Sequence, residues 1–415
     1  MPEAILSSSA SEKSARPKRI RECWRSKFTH PITTLYAKAL TQGHSCCCNI
    51  KLRNFSRADL REPSVNRVFS NSVHTLRIAF LPFLLVLAGC VISPRVNGNN
   101  NNPPPTSSGG ELYVATPNSI LRFSQALSAN GNVQPAGTIS GSATLLSNPG
   151  FLHSDTANDR LFVANTGNSS ILVFNSASTL NGNLAPSAVL AGNATGLSSP
   201  VDTAIDPGNN LLYVADGTTI LAFSGESGLS GNVNVAPVRT FQTGVTISAI
   251  LLDTSNDTLY VADATDNEVV VFGQASLQVL TGAPSALIQG SSTQLFAPSG
   301  LALDGAGRLV VSNAGSAPGV TIYSNPTIAG GNILPDTIIA GANTGFAAPS
   351  QIALAPSSAN GELFIADVTA QKIFIYNNAS NLRGNISAAP DASISGSNTG
   401  FSGVNIAGMA LDPTR

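Results

Sequence analysis

A short strand-rich unit recurs along this 415-residue chain, and it limits the possible folds more than any other feature. The copy at 258–272 reads TLYVADATDNEVVVF, with an apolar run, an Asp, a polar turn and a second β-branched run. Such a pattern is typical of two paired strands. The residue after the first run recurs at spacings of 47 to 54, at Thr116, Asn165, Asp216, Asp263, Asn313 and Asp367. A period near 50 made only of short strands predicts a β-propeller.

Each unit contains four strand candidates. In the fifth copy they are 300–303, 309–312, 320–323 and 337–339. A Gly-Asn dipeptide followed by Pro separates the third candidate from the fourth, and we expect a turn with positive φ there. The dipeptides are Gly131-Asn132, Gly182-Asn183, Gly231-Asn232, Gly331-Asn332 and Gly384-Asn385, whereas copy four keeps only Pro284.

The two ends of the repeat array complement each other. Copy one begins at Glu111 with its second strand, and segment 406–412 matches the first strand of copy five before the chain stops. We therefore predict an all-β, six-bladed propeller of four-stranded antiparallel blades, closed by the C-terminal strand pairing into blade one, because closure removes exposed sheet edges. An open or seven-bladed array with a truncated end is the alternative.

The segment 163–174, VANTGNSSILVF, resembles the NHL repeat, and the copies ending at Phe272 and Tyr376 keep its spacing. The resemblance covers residues 111–415. It implies a propeller fold and fixes no activity. WD40 and kelch repeats fit less well, because the only Trp in the chain is Trp24, outside the repeats.

Charge divides the chain in two. Residues 1–90 hold 14 Lys and Arg against 5 Asp and Glu, whereas residues 91–415 hold 8 against 18. Residues 1–72 show no strand or helix period, and we expect a disordered basic leader. Cys46, Cys47 and Cys48 are adjacent, which is the wrong spacing for a tetrahedral metal site, although metal binding there is the alternative.

Residues 73–90 have the parts of a secretion signal: Arg77, about ten apolar residues, and a small-residue end. The end, Leu87 to Cys90, resembles a bacterial lipobox, which implies that Cys90 is acylated. A signal so far along the chain indicates that translation starts later, near Val68 or Val73. Residues 91–110, rich in Asn, Pro, Ser and Gly, are expected to form a flexible tether. By the same resemblance, the cell envelope and its outer membrane are the expected location.

Candidate ligating residues are few. Five acids end the first strand of their units, and a ring of carboxylates at a channel mouth is suited to Ca²⁺; they are Asp155, Asp206, Asp253, Asp304 and Asp412. The competing interpretation is turn capping, since Asp206 precedes Pro207 and Gly208. The second polar series, Asp216 and its equivalents, is expected to cap backbone N–H groups. His153 is the only His in the repeats, and one His cannot build a multi-His metal site.

No set of catalytic residues is predicted. The propeller is therefore expected to be a binding scaffold, monomeric, for a protein or carbohydrate ligand, with no cofactor. Residues 111–415 carry 7 Lys and Arg, too few for a nucleic-acid surface. The alternatives are a lactonase-like hydrolase or lyase with a Ca²⁺ at the channel mouth, and a surface adhesin.

Overall fold

The computed structural model describes residues 109–415 apart from 278–282, 325, 327–329 and 357–360. The predicted leader 1–72, the predicted signal 73–90 with Cys90, and the tether up to residue 108 lie outside the described residues.

Six sheets, one for each copy of the repeat, form the six blades of a β-propeller. The strands of each blade are given from the central channel outward. Blade one contains Gly408–Asp412, Glu111–Thr116, Ser119–Ser124 and Gly137–Ser140, and blade two contains Pro149–Asp155, Arg160–Asn165, Ser170–Asn175 and Ala188–Leu190. Blade three contains Pro200–Asp206, Leu211–Asp216, Thr219–Ser224 and Arg239–Gln242, and blade four contains Ile247–Asp253, Thr258–Asp263, Glu268–Gly273 and Ala286–Ile288. Blade five contains Pro298–Leu303, Leu309–Asn313, Gly319–Tyr323 and Thr337–Ala340, and blade six contains Pro349–Leu354, Leu363–Asp367, Lys372–Tyr376 and Ala392–Ile394. Neighbouring strands within each of these sets of four are antiparallel. Single 3-10 turns in the described chain occupy Ala126–Ser128, Ser142–Thr144, Thr166–Asn168, Ala177–Thr179, Glu226–Gly228, Ala275–Leu277, Ala342–Thr344 and Ala379–Asn381.

The C-terminal strand closes the ring. Gly408–Asp412 pairs antiparallel with Glu111–Thr116, which places Leu411 opposite Leu112 and Met409 opposite Val114. The same strand packs beside the first strands of blades two and six, so the six first strands form a continuous circle. The predicted closure is confirmed, and the open or seven-bladed alternative is wrong.

The hydrophobic core is divided into six clusters, each between two adjacent blades. In the cluster between blades six and one, Phe364 and Ile375 pack against Leu112, Val114 and Met409. The second strand of blade one, like those of blades two, three and four, is buried along its whole length. Such a strand is covered on both faces, which explains its continuous apolar run.

The Gly-Asn segments reach beyond their own blades. Their Gly residues have positive φ, as predicted, with 80° at Gly131 and 104° at Gly331. Each segment also lies parallel to the outermost strand of the preceding blade: Gly231–Val233 pairs with Ala188–Leu190, and Gly384–Ile386 pairs with Thr337–Ala340. Three further segments make single parallel bridges, Gly131 to Ile394, Gly182 to Ile139 and Gly331 to Ile288. The segments predicted as turns within a blade therefore also join one blade to the next.

An Asn side chain strengthens four of these junctions. Asn183 Oδ1 accepts a hydrogen bond from the Ala143 N–H at 2.8 Å, inside a turn in which Thr144 Oγ1 donates to the Gly141 carbonyl at 2.7 Å. The same Gly-x-x-Thr turn begins at Gly192, Gly290 and Gly396, where it is capped by Asn234, Asn332 and Asn132. Gly141 has φ 112°, and a Cβ there would lie 2.6 Å from Asn183, so Gly is required.

The propeller has two distinct faces. The first strands of all six blades begin at one of them, next to the loops between blades, and we call it the start face. They end at the other, the end face. There an Asp in five blades, and Ala355 in blade six, is the last residue of the strand or the residue directly after it. The two faces differ in their chemistry.

Deleting residues 404–415 is expected to unfold or aggregate the propeller. The deletion removes the fully paired first strand of blade one and three large buried apolar side chains, those of Ile406, Met409 and Leu411, each worth about 1.5–3 kcal/mol. Deleting only residues 414–415 is the control, and it removes surface contacts of Arg415 worth about 1 kcal/mol or less. Thermal unfolding measures both, and equal melting temperatures for the parent and the longer deletion would contradict the closure.

Candidate functional site: the central channel and the start face

The six first strands enclose a central cavity of about 250 Å³. Most of its lining is aliphatic, from residues such as Ile205, Leu252, Leu303 and Leu354. The polar side chains in the lining are those of His153, Ser154, Asp202, Thr203 and Gln351. These polar groups, and the acids at the end face, are the places where channel chemistry would have to occur.

The five acids predicted as channel-mouth ligands each bind groups of their own turn. Asp206 accepts hydrogen bonds from the Asn209 N–H at 3.0 Å and from Asn209 Nδ2 at 2.7 Å. The same pattern holds at Asp155 with Asn158 and at Asp253 with Asn256, while Asp304 caps Ala306 and Arg308, and Asp412 caps Thr414. The structure thus places these carboxylates in turn caps, and an Asn three residues after the Asp is the sequence signal for three of them.

Arginine engages three of the five acids. Arg415 binds Asp412 at 3.3 Å within its own turn, and the other two arginines also reach a neighbouring blade. Arg160 binds Asp155 at 2.6 Å and reaches blade three through a second, shorter ion pair with Glu226. Burial alone raises the pKa of Asp155, but hydrogen bonds from Asn158 and Arg160 outweigh it, and the pKa falls below its ordinary value. Arg308 binds Asp304 at 2.6 Å and donates to a blade-six carbonyl, that of Ala379, at 2.9 Å. These pairs tie adjacent blades together.

Asp202, which the sequence analysis did not single out, lies in the channel wall. Its Oδ1 accepts from the Thr203 N–H at 2.8 Å, and its Oδ2 accepts from the Ile250 N–H of blade four at 2.9 Å. The side chain is almost fully buried, and burial raises the pKa of Asp202 to about 7 despite these hydrogen bonds. It therefore joins blades three and four from inside the ring.

Gln351 takes the corresponding position in blade six. Its Oε1 accepts from the N–H groups of Met409 and Leu152, and its Nε2 donates to the Leu152 carbonyl at 2.8 Å. One side chain thus connects blades six, one and two. From blade two, Phe151 packs against the cluster between blades four and five, so this level of the channel is crossed by side chains.

Asp202 and Gln351 occupy the same position in their repeats, but the residue type at that position differs from blade to blade. Asp202 lies four positions before Asp206, and Gln351 lies four positions before Ala355. At the same position the other blades carry Phe151, Ala249, Gly300 and Gly408. No periodic pattern links such different side chains.

His153 lines the channel two residues before Asp155. Burial lowers the pKa of its imidazole to about 4, although the Asp155 charge acts in the opposite direction. The imidazole is therefore neutral at pH 7. In the described chain, no group of three or more His, Cys, Asp and Glu side chains is arranged to hold a metal ion.

Four members of the second polar series cap backbone N–H groups, as predicted, but most of these groups belong to the loops between blades and not to the turn that follows each residue. Asn165 Oδ1 accepts from the Ser147 N–H at 2.8 Å, and Asp216 accepts from the N–H groups of Ser198 and Ser199. Asn313 and Asp367 act in the same way on the loops before blades five and six. Asp263 differs, because among the described residues its Oδ1 accepts from Thr265 of its own turn, at 2.8 Å, and from no loop between blades.

The start face also carries exposed apolar groups and two hollows. Leu145, Phe296 and Val404, on three different loops between blades, are 46, 46 and 37 % exposed. A hollow of about 390 Å³ lies beside Pro318 and Phe346, and one of about 340 Å³ contains Asp216 in its lining.

Comparison with known proteins supports the fold alone and assigns no function. No protein-family model matches the sequence, and no curated protein matches it. A chain of the nidogen/laminin complex is 14 % identical, with a TM-score of 0.51, over 73 % of this chain and 98 % of that chain. A protein of unknown function from Bacteroides caccae is 11 % identical, with a TM-score of 0.49, over 73 % of this chain and 98 % of its own. The six blades are shown by the sheets of this chain itself, and the similarity to the nidogen/laminin chain agrees with the NHL-like resemblance of its repeats at the level of the fold.

In the described part of the chain, no helix is long and apolar enough to cross a bilayer.

Stability is expected to respond to pH through Asp202 and His153 in opposite directions. Asp202 has a raised pKa, so its contribution is complete below pH 3.8 and is lost as the pH rises through about 7. His153 has a lowered pKa, so its contribution is complete above pH 6.5 and is lost as the pH falls through about 4. Relative to the parent, Asp202→Asn should gain stability as the pH rises from 4 to 7, by at most about 4 kcal/mol.

Urea unfolding of the parent, Asp202→Asn and His153→Gln at several pH values measures these differences. His153→Gln should gain relative stability as the pH falls, which makes each variant the control for the other. Profiles that run parallel to that of the parent would show that neither group titrates as described.

Proposed function

We propose that this chain is a lipid-anchored protein of the cell envelope whose propeller serves as a non-catalytic scaffold that binds a protein or carbohydrate at its start face. The observation that carries the proposal is the engagement of the end-face carboxylates and of Asp202 and Gln351 in the channel by groups of the protein itself. The five acids at the end face bind their own turns, and Asp202 and Gln351 bind backbone groups of neighbouring blades. A catalytic channel would need such groups to converge on a substrate.

The start face supports binding by its shape and composition. Its loops vary in length between blades, from four residues at 243–246 to thirteen at 395–407. Exposed apolar side chains and two hollows lie among these loops. Loops held by a rigid scaffold are where binding residues concentrate, and exposed apolar groups favour contact with a partner.

The proposed anchor is Cys90, acylated after removal of the signal, with residues 91–110 as the tether. Several acyl chains hold a protein on a bilayer stably, whereas a single chain does not. About 20 flexible residues span roughly 25 Å, which holds the propeller close to the membrane with its faces accessible. The outer membrane is part of this proposal, because Val91 and Ile92 follow the Cys and no Asp stands there as an inner-membrane retention signal.

Acylation at Cys90 is testable in cells fed an alkynyl fatty acid. The full chain should incorporate the label and sediment with membranes, and Cys90→Ser should lose both properties because the acylated sulfur is missing. Cys48→Ser, in the predicted leader, is the matched control and should behave like the parent. A Cys90→Ser variant that keeps the label would refute the anchor.

Binding through the start face is testable by affinity capture of proteins from envelope extracts and by binding of the chain to a glycan array. Phe296→Asp and Leu145→Asp should each reduce capture about tenfold or more, because a charge would be buried in the contact. Leu334→Asp is the matched control, since Leu334 is 74 % exposed and follows a Gly-Asn segment at the rim. Equal losses in all three variants would place the contact elsewhere.

The competing enzyme hypothesis predicts a different result from the same material. If the purified chain hydrolysed lactones and lost that activity on replacement of Asp206 or Asp253, the end face would be the active site and the scaffold proposal would fail.

A further inference from the structure

Blade four places two carboxylates directly opposite each other on paired strands. Asp263 is the cross-strand partner of Glu268 in the hairpin formed by the second and third strands. The two residues are 1 and 8 % exposed, and the carboxylate oxygen Asp263 Oδ2 is out of contact with solvent. Like charges in this position destabilise a sheet, and buried charges are normally paired or bound to a cation.

No other blade has this arrangement. Opposite the residue equivalent to Asp263, the other hairpins carry Ser, Thr, Gly or Lys; the pairs are Thr116–Ser119, Asn165–Ser170, Asp216–Thr219, Asn313–Gly319 and Asp367–Lys372. The double carboxylate is therefore not a requirement of the propeller repeat.

The loop before blade four is too short to cap Asp263 as the longer loops cap its equivalents. In blades two, three, five and six, a loop of eight or nine residues donates backbone N–H groups to the equivalent side chain. The loop before blade four, 243–246, has only four residues. Within the described part of the chain, Asp263 Oδ2 is buried and has no hydrogen-bond partner.

The charged form of Glu268 is also disfavoured by its surroundings. Burial raises the pKa of its carboxyl, and the negative charges of Asp263 and Asp266 raise it further. In the described chain neither Asp263 nor Glu268 forms a salt bridge with a Lys or Arg. The two side chains thus form an acidic site at the start face, and in the described chain one of its oxygens, Asp263 Oδ2, accepts no hydrogen bond from the protein.

We infer that the Asp263–Glu268 pair binds a divalent cation of the Ca²⁺ type at the start face of blade four. Directly opposed residues have Cβ atoms about 5 Å apart, so the two carboxylates can hold one ion between them. Ca²⁺ takes six to eight oxygen ligands in flexible geometry and accepts carboxylates and water together. Asp266 lies in the connecting turn and is exposed, so it adds charge on the route by which the ion enters.

The expected affinity is low. With two buried carboxylates and no preformed cage of three or more ligating side chains in the described chain, water must complete the coordination. Extracellular Ca²⁺ modules of low charge count have Kd values of about 10⁻⁴–10⁻³ M. The site is separate from the end-face acids and does not depend on the proposed ligand.

The test uses the purified full chain, freed of metal with a chelator. Thermal unfolding and titration calorimetry are recorded with CaCl₂, with MgCl₂, and with KCl at matched ionic strength. CaCl₂ at ten- to hundredfold excess over Kd should raise the melting temperature by roughly 3–5 °C. The KCl control should produce a smaller change, because it screens the two charges without bridging them.

Three variants separate cation binding from a structural role. Asp263→Asn and Glu268→Gln should unfold no earlier than the metal-free parent, since each removes a like-charge contact, and both should lose the response to Ca²⁺. Asp216→Asn, the same position in blade three, should unfold earlier because its loop caps weaken, and it should keep the response. No Ca²⁺ response in the parent at 10 mM (about tenfold the expected Kd), or a response that survives Asp263→Asn, would overturn the inference. A parent that ignores Ca²⁺ but is stabilised by Asp263→Asn would show that the two carboxylates repel each other without binding a cation, and this result too would overturn the inference.

Discussion

Apolar contact between neighbouring blades is the interaction on which the rest of this structure depends. A blade whose middle strands are apolar on both faces cannot be stable alone, because each face must be covered by another sheet. Both faces of every blade are covered only when the blades form a closed ring, because an open row would leave an uncovered blade at each end. The six clusters between blades satisfy this condition, and the pairing of Leu411 with Leu112 completes it with the last residues of the chain.

Polar contacts then fix how the blades are spaced. The outermost strand of a blade has a free edge, which is a site for unwanted pairing. The Gly-Asn segment of the next blade covers that edge at five of the six junctions. The sequence of blade four lacks the dipeptide, and the junction between blades three and four is instead joined from inside by the hydrogen bond from Ile250 to Asp202.

The architecture could be predicted because its signals are local and repeated. Strand runs, their period and the match between 406–412 and the first strands require no knowledge of distant contacts, and they led to the blade count and the closure. The roles of Asn183, Asp202 and Gln351 depend on which backbone groups of another blade lie within hydrogen-bond distance. That information arises only after the ring has closed, so their residue types alone did not reveal it.

The two acidic series show why a regular spacing of carboxylates is a poor guide to a site. Each Asp at the end face binds its own turn, because a backbone N–H two or three residues further on is always close, whereas the channel mouth is not. Asp263 stands out for the opposite reason, since the four-residue loop beside it removes the donors that its equivalents use. In a repeat protein the informative residue is therefore the one whose local partner has been lost while its charge has been kept. Blade four combines such a residue with the missing Gly-Asn dipeptide, so the junction of blades three and four is where this ring departs most from its own repeat.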